Sequence, residues 1–191
     1  MAIFYRGAGV GTYWHENDAR GSGFTPKNSG IQPSNNRLML HIARMVVDSP
    51  YISLTLSYGV AHSYAVFFGR VRPKKGKPAY VYDLEISKPT PSGLQLLDPI
   101  KKVAREAPAP PAEITYQHDG DIQFLLGVVE PRMRAFLDRP VRQPPPGTGG
   151  TKRTPNLSIQ LETLVRALRD AEILAVGNIP AICVRNRHEV W

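Results

Sequence analysis

Tyr51-Ile52-Ser53-Leu54-Thr55-Leu56-Ser57 alternates hydroxyl-bearing and aliphatic side chains without a break. Successive strand side chains point to opposite faces. The period of two therefore predicts a strand with Tyr51, Ser53, Thr55 and Ser57 on one face and the aliphatics buried on the other. Upstream, Leu38, Leu40, Ile42, Ala43, Met45 and Val46 fall near helical spacing over 36–47, and Asp48-Ser49-Pro50 ends that helix. Downstream, 60–68 reads as a short helix, 70–78 as a basic turn, and 79–86 as a second strand, alternating through Val81-Tyr82-Asp83-Leu84-Glu85-Ile86.

Working outward, residues 2–6 form a short strand running into a glycine-rich turn. Residues 15–36 are a polar loop with at most one helical turn, bent at Gly23-Phe24-Thr25-Pro26. Towards the C-terminus, 97–105 is a candidate helix, 107–111 a proline-rich break, 122–129 a strand and 133–137 a short helix. The stretch 139–155 holds five prolines and three glycines and reads as a mobile loop. An amphipathic helix is expected over 157–168, with Ile159, Leu161, Leu164, Val165 and Leu168 on its apolar face. A strand follows over 172–179, and 181–184 continues or follows it. Strands and helices do not alternate regularly, which disfavours a doubly wound parallel sheet and favours an α+β domain.

The 191 residues suffice for one domain, 1–191, and 42% hydrophobic content is that of a globular chain. No apolar run approaches the roughly 20 residues that cross a bilayer. The N-terminus lacks the basic-then-apolar order of a signal peptide, so a soluble chain with no membrane partner is expected. The lone Cys183, inside the apolar run 179–184, excludes an internal disulfide and a thiolate metal cage and reads as core. The net charge is +8. Arg70, Arg72, Lys74, Lys75 and Lys77 crowd one stretch; Arg132, Arg134, Arg139, Arg142, Lys152 and Arg153 form a second group. These are either solvated loops or a surface for a polyanion: nucleic acid, or the pyrophosphate of a dinucleotide.

Two motifs mislead. Gly7-Ala8-Gly9-Val10-Gly11 follows a strand but lacks the final spacing of the dinucleotide fingerprint, and no apolar helix follows it. His15, Glu16 and Asp18 are metal-ligand types without the spacing of a closed site, so no metal is expected. No G-x-S-x-G elbow is present.

Three segments, in order, carry a resemblance. They are Phe4-Tyr5-Arg6-Gly7 with Gly23-Phe24-Thr25-Pro26; Tyr51-Ile52-Ser53-Leu54-Thr55 with Ala61-His62-Ser63-Tyr64-Ala65; and Asp170-Ala171-Glu172 through Gly177-Asn178-Ile179-Pro180. Together they resemble the mono-ADP-ribosyltransferase toxins of the arginine–serine–glutamate type, the family that includes cholera toxin and the pierisin-like group. The resemblance spans nearly the whole chain except 88–155. It departs from the family at Leu54, where a hydroxyl is usual, and at Asp170, where Gln or Glu is usual.

The resemblance implies a fold of two packed, mainly antiparallel sheets forming an NAD⁺-binding cleft, with flanking helices. It implies cleavage of the nicotinamide–ribose bond of NAD⁺ and transfer of ADP-ribose to a macromolecule. Breaking that bond leaves a ribosyl cation of oxocarbenium character. The resemblance implies that the Glu172 carboxylate stabilises the cation and bonds a ribose hydroxyl. Arg6 binds pyrophosphate or braces the ribose pocket, and Ser53 bonds Glu172, with Thr55 in support. Gly7 lets the nicotinamide amide approach, Tyr64 or Tyr58 stacks on nicotinamide, and Asp170 orients or deprotonates the acceptor. The acceptor is nucleic acid, on the grounds of charge, or a protein side chain. A toxin or effector role in a cytoplasm follows, together with a neutralising antitoxin or immunity protein. The rivals are an NAD⁺ glycohydrolase and a basic nucleic-acid-binding module without catalysis.

Overall fold

The computed structural model describes residues 2–106, 117–118, 121–122 and 159–191. In chain order these form β1 (Ala2–Ala8), α1 (Tyr13–Glu16), α2 (Ala19–Ser22), α3 (Asn35–Ala43), β2 (Tyr51–Thr55), α4 (Tyr58–Phe67), β3 (Ala79–Ile86), β4 (Gln95–Leu97) and α5 (Pro99–Glu106). After them come β5 (Gln117–His118), β6 (Asp121–Ile122), α6 (Ile159–Arg169), β7 (Glu172–Val176), a 3₁₀ turn (Ala181–Cys183) and β8 (Val184–Val190). The break at 107–111, most of the strand at 122–129, the helix at 133–137, the loop at 139–155 and the second basic group lie outside the described residues.

The sheet runs β4-β7-β2-β1-β3-β8 with every neighbouring pair antiparallel, which makes the domain α+β. A separate two-residue ladder joins β5 and β6. The described residues thus show one six-stranded antiparallel sheet and this short ladder.

Local chemistry sets the helix ends. Ser34 caps α3 by accepting from the Arg37 N–H, and Ser57 caps α4 by accepting from the Val60 N–H, both at 3.3 Å. Ser57 therefore leaves the hydroxyl face predicted for it, and Leu56, 53% exposed, is not buried. Both residues lie past the end of β2. Helix α3 stops at Ala43, short of 47, because the chain bends at Met45, whose φ is +52°. Asp98 starts α5 by accepting from the Ile100 and Lys101 N–H groups at 3.0 and 3.1 Å. Strand β8 has no alternating pattern because it is an edge strand. Its polar side chains pair instead: Arg185 with Glu85 at 2.8 Å, His188 with Asp83 at 2.7 Å, and Arg187 with Asp18 at 3.0 Å.

Three apolar clusters cover the sheet. Leu38 and Ile42 of α3, Val103 of α5 and Leu164 and Ala167 of α6 pack with Tyr51 and Leu174. Ala61 and Ala65 of α4 pack with Ala79, Val81 and Val190. Phe4, Ile52, Leu54, Tyr82 and Leu84 pack with loop residues Phe24, Ile179 and Cys183, so the cysteine is core. Both faces of β2 are buried, as its central position requires.

One feature of the sheet positions the site. Strand β1 pairs with β3 at seven successive positions, but with β2 only at Tyr5 opposite Thr55. A continued antiparallel ladder would set Arg6 against Leu54 and Gly7 against Ser53. Neither pair forms, so β1 and β2 part beyond Tyr5.

Candidate active site

A cleft of about 770 Å³ opens at this parting. Its lining includes Arg6 and Gly7 of β1, Ser53 and Thr55 of β2, Tyr64 of α4, Asp170 from the end of α6 and Glu172 from the start of β7. These seven, all singled out in the sequence, line the same cleft; Tyr58, the alternative to Tyr64, does not.

The parting leaves a strand carbonyl without a ladder partner, and a buried carbonyl needs one. The Arg6 guanidinium supplies it by donating Nη1–H to the Ser53 oxygen. The guanidinium carbon also lies 5.6 Å from the centre of the Phe24 ring. Arg6 Nε is buried with no partner among the described residues. Burial lowers the Arg6 pKa to about 10, opposed by the charge of Glu172, so Arg6 remains a cation at neutral pH.

Glu172 sits opposite Thr55 in the β2–β7 ladder. Burial pushes its carboxyl up to about 7; Ser53 hydrogen bonding and the Arg6 and Arg169 charges pull it down, while Asp170 pushes it up. The group is thus poised to lose its proton near neutrality, and a cation bound beside it would draw the proton off.

His41 of α3 joins the site without a sequence signal, since it is one of five scattered histidines. Its Nε2 lies 2.8 Å from Ser53 Oγ and its Nδ1 2.7 Å from Ser49 Oγ. Burial, then the Arg6 charge, lowers its pKa to about 4, so the ring is neutral. An ionised Glu172 has no proton to give, so Ser53 must donate to it, and His41 must then donate its Nε2–H to Ser53. That tautomer leaves Nδ1 to accept from Ser49 at 2.7 Å, and the Val46 carbonyl, 3.3 Å from Nδ1, then receives no hydrogen bond from it. The chain Ser49–His41–Ser53–Glu172 runs in one direction and holds the carboxylate in place.

Asp170, Tyr64 and Thr55 form a second linked group in the cleft. The Asp170 carboxylate has both oxygens engaged: Arg169 donates from Nε and Nη2, each at 2.7 Å, and the Tyr64 hydroxyl donates at 2.8 Å. Burial and that bond push the Tyr64 phenol up to about 12. Thr55 donates its hydroxyl to the Asp170 carbonyl at 2.5 Å. Between Asp170 and Glu172, Ala171 adopts a φ of +45°, the left-handed kink that turns α6 into β7 and brings both acids to the cleft.

Gly7 lines the cleft and is also fixed by packing. A Cβ there would meet the Ala61 carbonyl at 2.2 Å and the Ala65 nitrogen at 2.8 Å. The packing of α4 onto β1 demands the glycine, whatever a ligand requires. Tyr58 is not in the cleft lining; it packs on Tyr5 and His188. Thr25, from the Gly23–Pro26 turn, also lines the cleft, as do Tyr13, Trp14 and Lys27, which no motif marked.

His15 Nε2 lies 2.9 Å from the Pro78 carbonyl, and Asp18 pairs with Arg20 and Arg187. Among the described residues no group of three or more His, Cys, Asp or Glu is placed to hold a metal ion, and no helix is long and apolar enough to cross a membrane. No protein-family model matches the chain, and no curated protein matches its sequence.

Proposed function

We propose that this chain is a mono-ADP-ribosyltransferase that takes NAD⁺ as substrate, and that the six-stranded sheet, parted between β1 and β2, acts as the two-sheet NAD⁺ cleft of that family. The observation that carries the reading is the meeting of Arg6, Ser53 and Glu172, remote in sequence, in one cleft. The cleft falls within the roughly 300–1,000 Å³ usual for ligand sites. The unpartnered buried Nε of Arg6 marks a guanidinium whose donors the protein does not exhaust, and a guanidinium fork suits pyrophosphate oxygens.

In the reaction the bond from ribose C1′ to the nicotinamide nitrogen breaks and nicotinamide leaves as a neutral base. A nucleophilic atom of the acceptor bonds to C1′ and gives up its proton. The Glu172 carboxylate faces the developing cation in a largely water-excluded site, where fixed charge acts most strongly. Ser53 holds Glu172, and His41 holds Ser53. Asp170, its oxygens already occupied, ties the end of α6 to α4 and so positions Glu172, a different role from acceptor base.

Incubating the chain and Glu172→Gln with labelled NAD⁺ in a whole-cell lysate tests the reading. Label is expected on a macromolecule with the unaltered chain and is expected to vanish with Glu172→Gln. Nicotinamide release without labelled macromolecule would favour a glycohydrolase; binding without turnover would favour a non-catalytic module.

A further inference from the structure

We propose that the surface formed by the end of α4 and the turn after it, residues 67–77, docks single-stranded nucleic acid. On the transferase reading above, this polymer is the ADP-ribose acceptor. No acidic residue occurs between Asp48 and Asp83, while Arg70, Arg72, Lys74, Lys75 and Lys77 fall within that stretch. All five are exposed, and none forms an ion pair among the described residues. Elsewhere Arg20, Arg44, Arg166, Arg169, Arg185 and Arg187 each pair with an acid, and the exposed cations without an ion pair, Lys27, Arg37, Lys88, Lys101 and Lys102, are spread over three separate stretches of the chain. Five uncompensated cations on one short segment favour a polyanion.

The segment is also shaped. Lys74 and Lys77 exchange both backbone hydrogen bonds, at 3.1 and 2.7 Å, and so present Lys75-Gly76 at the tip of a tight turn. At its base Arg70 N–H donates to the Val10 carbonyl at 2.8 Å. There Gly9 meets Gly69 so closely that a Cβ on Gly9 would lie 2.4 Å from the Gly69 nitrogen. The segment is thereby pinned to the loop that follows β1.

Charge alone would serve duplex and single strand alike; the aromatics separate them. Phe67 and Phe68 are 63% and 56% exposed, and the Arg72 guanidinium lies 5.8 Å over the Phe67 ring. Exposed rings flanked by cations offer stacking platforms to unpaired bases. The surface also reaches the cleft, for the Phe68 ring stacks at 4.7 Å on Tyr64, which lines it. A strand lying along 67–77 thus passes within one ring of the proposed transfer site.

The test reads fluorescence anisotropy of labelled single-stranded RNA, single-stranded DNA and duplex DNA with the full chain and no NAD⁺. Single strands are expected to bind in the micromolar range. The triple substitution Lys74→Glu, Lys75→Glu, Lys77→Glu should weaken binding about tenfold or more and reduce the salt slope by about 2. Phe67→Ala should weaken single-strand binding about fivefold and spare the duplex. All of these side chains are exposed, and a thermal midpoint within about 2 °C of the unaltered chain shows each variant folded. Absence of binding, binding unchanged by the triple substitution, or binding of polyglutamate in place of oligonucleotides would overturn the proposal. Nicotinamide release by the unaltered chain without oligonucleotide binding sinks this proposal alone, and binding without release sinks the transferase reading alone.

Discussion

The Arg6 guanidinium donates to the Ser53 carbonyl at the place where β1 and β2 cease to pair. A side chain thus takes over a hydrogen bond that the sheet gives up. The sheet opens enough to form a cleft without leaving the carbonyl unsatisfied, and a cation is fixed on the floor of that cleft.

The rate is expected to follow Glu172. With its carboxyl near 7 in the free protein, kcat/KM for nicotinamide release should rise with pH through about 7 and level off above it. A profile flat from pH 5 to 9 would separate the reaction from this group.

Stability should show the same group together with its neighbour. Glu172, raised from 4.5 to about 7, contributes stability that is fully present below about 4.5 and lost as pH rises through about 7. His41, lowered from 6.5 to about 4, contributes stability that is present above about 6.5 and lost as pH falls through about 4. Between roughly 4.5 and 6.5 the two nearly cancel. Relative to the unaltered chain, Glu172→Gln should gain stability as pH rises across this window, and His41→Gln should lose it. Each slope is at most about 1.4 kcal/mol per pH unit, measurable by denaturant unfolding at stepped pH.

Asp170→Asn distinguishes a clamp from an acceptor base. A clamp predicts a stability loss on the order of 1–2 kcal/mol, read as a lower thermal midpoint and kept small because the Arg169 partner can rehydrate. The ratio of ADP-ribose transferred to NAD⁺ consumed would be unchanged. Normal stability with transfer abolished and hydrolysis retained would reinstate the base.

Gly7→Ala should cost about 1–3 kcal/mol, lowering the midpoint by about 5 °C, because the added methyl meets the α4 backbone. Loss of activity at an unaltered midpoint would return the glycine to ligand binding.

What the sequence revealed and what it hid divide along physical lines. Strands β2 and β3 alternate because their neighbours supply distinct environments, so both were legible; α6 was legible as a helix, but it buries Thr163, Leu164 and Ala167, and of the apolar face read from the sequence only Leu164 is buried. Edge strand β8 is polar between its terminal valines, Val184 and Val190, and carries no alternation. The three-residue β4 is too short for a period. The parting of β1 from β2 depends on register, which no local pattern carries. Arg6, Ser53 and Glu172 were legible through a family resemblance. His41 was not, because its role comes from where α3 is packed and not from its neighbours in the chain.

The most direct test is free nicotinamide released from NAD⁺ by the purified chain and by Glu172→Gln. The account predicts steady release by the unaltered chain, a fall on the order of 10²–10³ in Glu172→Gln, and a folded variant with a midpoint at pH 8 no lower than the parent's. No release from the unaltered chain, or equal release from both, would contradict it.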